Sequence, residues 1–318
     1  MVLARSGEPL EPNEIAMGNF GRSALKSVLP CVLSGMLMLF GGDGICAQLI
    51  EHFRNGPVST TINWQRGYIE TTARGTARFT GNIAQEELMA LEAARVLAKA
   101  GLVEMLNGIK VTGTTTVAQF MTRNSTVTAR FSGLLRGAVP VAESVKWVED
   151  KAAKRGKVAV GRATYRVCLI HEDETCRKKA MAVIDLVRPP SKTVASTSQR
   201  GTTHRELVVT GLIVDLGNKL FLPVLSPEIV TTEGKIVFSM TMVTKRHATG
   251  NSTVRYSTAV EYARKMQLVG ANPMTVQAVD ITDDNRIVVS ARSAQRIASA
   301  VKEGATFLAE GRIVIALD

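Results

Sequence analysis

The sequence predicts an α+β protein: a helix-rich N-terminal half, then a mostly antiparallel, β-rich C-terminal half with inserted helices. Three observations predict it. Apolar residues recur at steps of three and four between residues 84 and 106. From residue 158 onward, short runs rich in Val, Ile and Thr alternate with polar residues. Regular alternation of strands and helices is missing, which argues against a doubly wound parallel sheet.

In chain order, residues 1–22 hold Gly, Pro, Asn and Glu without periodicity and read as a flexible arm. Residues 23–140 read as a helix-rich region. A helical stretch over about 23–54 is expected, interrupted at Pro30 and at Gly41–Gly44, and stopped by Asn55-Gly56-Pro57. Residues 58–81 are extended or irregular. Asn82 and Gln85 have the spacing of a helix-capping pair. Leu88, Leu91, Ala94, Ala98, Leu102 and Met105 would form the buried face of the helix that follows, and Asn107-Gly108 would close it. Residues 109–133 read as β-like.

Residues 141–318 form the β-rich region. A short helix over 141–155 opens it. A hairpin follows, with strands over 158–170 and 178–187 joined by His171–Cys176. Residues 189–204 are a polar, low-complexity loop and a candidate boundary. Strands are expected near 206–215, 219–224, 234–245, 275–281, 286–290 and 311–317, and helices near 255–268 and 291–303. Ala294, Ile297, Ala298 and Val301 would line the inner face of the last helix.

The chain has 318 residues, is 45% hydrophobic, and has only 5% aromatic residues. That is enough apolar material for a folded core and excludes disorder of the whole chain. The net charge of +11 favours polyanionic partners. The excess is concentrated. Residues 151–210 carry 13 basic and 5 acidic side chains, while residues 86–150 balance at 7 and 7. The stretch KAAKRGKVAVGRATYR, residues 151–166, has no Asp or Glu. Lys151, Lys154, Arg155, Lys157, Arg162, Arg166, Arg177, Lys178, Lys179, Lys192 and Arg200 are the candidate nucleic-acid-binding residues. With few aromatics for base stacking, contact to the phosphate backbone without sequence readout is expected.

Catalytic motifs are missing. Cys168, His171 and Cys176 are the one cysteine–histidine cluster, but zinc needs about four ligands, and no metal or other cofactor is expected. His52, His171, His204 and His247 are scattered, so no catalytic base is nominated and the protein is read as non-enzymatic. Four cysteines in a long chain suggest reduced thiols. Glu8, Glu11 and Glu14 precede the first apolar run and speak against a secretory signal. Residues 27–42 would span roughly 24 Å as a helix. That is short of the roughly 30 Å hydrocarbon layer, so a buried helix is expected rather than a membrane span.

SGMLMLFGGDGICAQLIE, with Arg66, Arg74 and Arg78 after it, resembles the start of the Mpv17/PMP22 family of small organelle membrane proteins. The resemblance covers Ser34 to Arg78 and implies further hydrophobic helices beyond it. The chain turns to strands and charge there instead, and it is not assigned to that family.

The function expected from the sequence is that of a non-enzymatic, self-assembling structural protein of viral coat or nucleocapsid type. It would bind nucleic acid, RNA rather than DNA, as a homo-oligomer, in the cytoplasm or within a virion. The alternatives are a membrane-associated subunit of an organelle complex and an accessory subunit of a ribonucleoprotein particle.

Overall fold

The computed structural model describes residues 49–122, 125–179, 181–187, 208–244 and 254–317. They build two sheets. The first has five antiparallel strands in the order β1-β2-β3-β5-β4: β1 (Ile50–Asn55), β2 (Val58–Asn63), β3 (Tyr68–Thr76), β4 (Val139–Glu149) and β5 (Lys157–Cys168). Between β3 and β4 the chain runs through α1 (Ile83–Gly108), α2 (Val117–Thr122) and α3 (Ser125–Arg136).

Helix α1 lies across one face of this sheet, against β3 and β5. Its N-cap is Asn82, whose side chain accepts from the Gln85 amide at 3.2 Å. Its buried stripe is Ala90, Ala94, Ala98, Gly101, Leu102 and Leu106. Leu88, expected inside, is 62% exposed. The small residues decide the face, because the sheet beneath approaches very closely. Gly75 and Gly161 face each other across β3 and β5. A Cβ on Gly161 would lie 2.3 Å from the Ala90 carbonyl oxygen, and one on Gly75 would lie 2.4 Å from the Ala94 nitrogen. Ile69, Ala73, Ala163 and Val167 complete the layer beneath the helix.

Short segments α4 (Glu174–Arg177) and α5 (Val183–Val187) follow β5. The second sheet has seven strands in the order β8-β7-β11-β10-β6-β12-β9: β6 (Gly211–Asp215), β7 (Ile229–Thr231), β8 (Ile236–Phe238), β9 (Arg255–Ser257), β10 (Pro273–Ile281), β11 (Ile287–Val289) and β12 (Ile313–Ala316). With it go α6 (Val260–Arg264), α7 (Ala291–Lys302) and α8 (Phe307–Glu310). Strand β6 is parallel to β10 and β12, β12 is parallel to β9, and β11 to β7. Only the pairs β10–β11 and β7–β8 are antiparallel.

The expected layout is therefore corrected. The molecule is α+β with two sheets, but the described N-terminal half is not helix-rich, and four of the six pairings in the second sheet are parallel. The Thr-rich runs VSTTIN and YIETTARGT, read as extended or irregular, are strands β2 and β3 of the first sheet. Residues 50–54, read as the end of a helix, form β1. Residues 23–48 of that expected helix lie outside the described residues, as do the arm and the whole 189–204 loop. Residues 109–133 are mainly α2 and α3 rather than β-like.

The helix expected over 141–155 is strand β4 and its turn. Good helix formers such as Ala142, Glu143 and Lys146 are overridden by ladder pairing with β5. Charge and Pro140 on an edge strand also discourage a further partner. The hairpin expected between 158–170 and 178–187 does not exist. Strand β5 pairs with β3 and β4, and the residues after it are helical. The GLIVD and IVIA runs are buried on both faces, the signature of parallel strands that alternation rules miss. Residues 219–224 form no strand. The helix expected over 255–268 is divided among β9, α6 and a 3-10 turn at Gln267–Val269. On α7, Ile297 and Ala300 face inward, while Val301 is 40% exposed.

Candidate polyanion interface

Because α1 covers one face of the first sheet, the residues between its contacts point to the other side. Register fixes which they are, since directly paired residues share a face. Ser59, Thr72 and Thr164 form one row, with Arg54 at its β1 end and Ala142 at its β4 end. Arg74, Arg162 and Ser144 form the next. Thr76, Val160 and Lys146 form the third. The Thr72 and Thr164 hydroxyls are hydrogen-bonded at 2.8 Å and brace the centre.

Arg54, Arg74, Lys146 and Arg162 are exposed, and none makes an ion pair among the described residues. The one carboxylate among the strand residues of this face is Glu70, and it is taken. The Arg166 guanidinium binds it at 2.8 Å, reaches Asp173 at 3.0 Å, and stacks 4.0 Å over the Tyr68 ring. Elsewhere, acidic groups are directed to the helix side. Glu143 is held by Arg95 at 2.6 Å and by the Tyr165 hydroxyl at 3.0 Å, which keep its carboxyl below the usual range, the Arg95 hydrogen bond most of all. Glu87 accepts from the Trp147 indole at 2.7 Å.

The predicted cluster is thus divided. Arg162 stands on the open face. Lys151, Lys154, Arg155 and Lys157 lie at the β4–β5 turn, the last three beside two aromatic rings. Lys154 and Arg155 lie 5.7 and 5.2 Å from the Phe79 centroid, and Arg155 and Lys157 lie 5.8 and 5.4 Å from that of Trp147. Arg155 also pairs with buried Glu86 at 3.4 Å. The Thr80 amide, with help from Gly81 and Arg155 and against the effect of burial, holds that carboxyl below its usual range.

Arg166 is neutralised. Arg177, Lys178 and Lys179 sit past the opposite end of β5, and a strand of twelve residues spans roughly 36 Å. There Lys178 meets Glu174 at 3.3 Å, and Arg177 lies 4.0 Å from Glu172. Lys192 and Arg200 lie outside the described residues. Arg54, Arg74 and Lys146 were not nominated from the sequence. Their signal was alternation within Thr-rich runs, which becomes a shared face only once strand order is known.

Cys168 and Cys176 are joined by a disulfide. This overturns the expectation of reduced thiols for these two residues, and neither sulfur is available as a zinc ligand. His171, between them, uses both ring nitrogens. Nε2 lies 2.8 Å from Asp185, and Nδ1 lies 3.2 Å from the Cys176 carbonyl oxygen. Asp185 raises the imidazole pKa above its ordinary value, against the effect of burial.

Residues 211–318 match the family model of the second domain of Treponema pallidum Tp0624. The match begins at the first residue of β6 and contains every strand of the seven-stranded sheet. It covers about a third of the chain and leaves the five-stranded sheet and its open face outside. No curated protein matches the chain. Among the described residues, no helix is long and apolar enough to cross a membrane. The stretch that resembles the Mpv17/PMP22 family places Arg74 on a strand and Arg66 in the turn before it.

Proposed function

We propose that the protein is a non-enzymatic binding module that holds a phosphate-bearing polyanion across the open face of its first sheet. The observation that carries this reading is the direct pairing of Arg74 with Arg162, flanked by Arg54 and Lys146, without a carboxylate to neutralise them. Like charges placed opposite one another destabilise a sheet. Their cost is offset when an anion bridges them. The cations of the β4–β5 turn, beside Phe79 and Trp147, lie at the strand ends toward the α1 side and are not counted in this face. Serine and threonine hydroxyls between the cations add hydrogen-bond donors for phosphate oxygens. His171 has both ring nitrogens engaged internally, and no catalytic role is proposed for it.

A nucleic-acid backbone, RNA first, is the partner to test, with no base readout. The assay is fluorescence anisotropy with a labelled single-stranded RNA across a salt series. Arg74→Ala/Arg162→Ala should weaken binding at low salt and flatten the salt slope by about 1.4, at roughly 0.7 per phosphate contact. Unchanged binding and slope would remove this face from the proposal. Duplex DNA and vesicles containing anionic lipid serve as parallel arms, and tighter binding to vesicles would favour a membrane-surface role. Light scattering with RNA addresses assembly: growth into large homopolymeric particles supports the coat reading, and a single copy per RNA supports an accessory subunit.

A further inference from the structure

The Cys168–Cys176 bridge closes eight residues of sequence separation. Both residues are buried, at 3% and 0% exposure, in a core shared with Leu169, Val183 and Ile184. The bridge ties the end of β5 to α4. His171, inside the loop, is fixed to Asp185 and to the Cys176 carbonyl. The half-cystines are thus sealed from reductants and built into a folded corner, unlike the exposed pairs of redox catalysts or sensors. Structural disulfides of this kind form in oxidising compartments, while the cytosol keeps thiols reduced.

The sequence holds a means of reaching such a compartment. Arg22 and Lys26 are followed by Val28–Phe40, thirteen residues without a charge. Small residues then gather at Gly41, Gly42 and Gly44, and Cys46-Ala47 stands before Gln48. A basic start, an apolar core of 7–15 residues and a small-residue cleavage site are the three parts of an export signal. Glu8, Glu11 and Glu14 lie upstream of Arg22 and outside all three parts.

We infer that residues 22–47 are an export signal, that the chain is cut after Ala47, and that the Cys168–Cys176 bridge forms in the oxidising compartment it reaches. Each thiol loses a proton and an electron to that compartment's disulfide-forming oxidase as the sulfurs join. The inference rests on residues other than those of the polyanion reading, and if it holds, the anionic-lipid arm of that test is the relevant one rather than RNA.

The test is expression of the full chain in a bacterial host with a periplasm, followed by fractionation, non-reducing intact mass analysis and thiol alkylation in denaturant, which exposes the buried positions. The expected product is periplasmic and begins at Gln48. Its Cys168 and Cys176 should resist alkylation until reductant is added. Leu37→Arg/Leu39→Arg, which breaks the apolar core of the signal and lies outside the described residues, should leave an uncut chain in the cytosol with both thiols open to alkylation. A wild-type chain that keeps residues 1–47, or a periplasmic chain whose Cys168 and Cys176 are alkylated without reduction, would overturn the inference.

Discussion

Arg74 and Arg162 stand directly opposite each other on β3 and β5, on the face that α1 leaves open. Two guanidinium groups so placed repel. Arg162→Thr should therefore stabilise the free protein, by about 0.2–1 kcal/mol, while weakening its hold on a polyanion. Urea unfolding in low salt measures the first effect. A loss of stability on removing Arg162 would mean that the arginine serves the fold.

Glu70 is the anion that keeps Arg166 from joining this surface. Glu70→Gln should add one net positive charge to the face and leave Arg166 with Asp173 alone. RNA binding is expected to tighten and its salt slope to steepen by up to about 0.7. An anisotropy titration at several salt concentrations reads both quantities.

Helix α1 can lie on the sheet only because two glycines meet beneath it. Gly161→Ala would place a methyl group against backbone at Ala90 and Leu91, with no flexible side chain to yield. A loss of about 1–3 kcal/mol is expected in chemical denaturation. Gly156→Ala is not an equivalent control, because Gly156 has a positive φ of 70°. Gly133→Ala, in open space on α3, is the suitable one.

The His171–Asp185 pair makes the corner after β5 sensitive to pH. The folded-state pKa of His171 is raised above 6.5, first by its hydrogen bond to Asp185. Its contribution to stability is fully present below about pH 6.5 and is lost as pH rises through the raised value. Asp185→Asn should return the imidazole toward its ordinary pKa and remove that dependence. An NMR titration of the His171 ring protons checks the shift, and thermal unfolding from pH 5 to 9 checks the linkage.

Replacing both bridged cysteines, Cys168→Ser/Cys176→Ser, should cost about 2–3 kcal/mol from loop entropy. Differential scanning calorimetry of the oxidised wild type against the double variant measures it. Equal stabilities would mean that packing around Leu169 and Ile184 holds this corner without the bond.

The parts legible in the sequence were those fixed by local rules. The Asn82 cap, helix α1, strand β5, helix α7 and the last strand follow from capping chemistry and periodicity within their own segments. What was hidden depends on partners far along the chain. The buried face of α1 is chosen by Gly75 and Gly161, and no helical periodicity reveals a sheet's glycines. The β4 segment reads as a helix until β5 is there to pair with it. Within the site, the density of cations from Lys151 to Arg166 was visible, but neutralisation of Arg166 by Glu70 joins residues 96 positions apart. Arg54, Arg74 and Lys146 remained unseen because their common face is a property of strand order.

The paired glycines under a ladder of alanines also offer a way to find kin. A chain that keeps glycine at both opposed sheet positions, with small residues every fourth place along the overlying helix, must reproduce the same close backbone approach. That geometric fingerprint can survive after most other identities have drifted, and it marks the five-stranded half, where sequence comparison is silent.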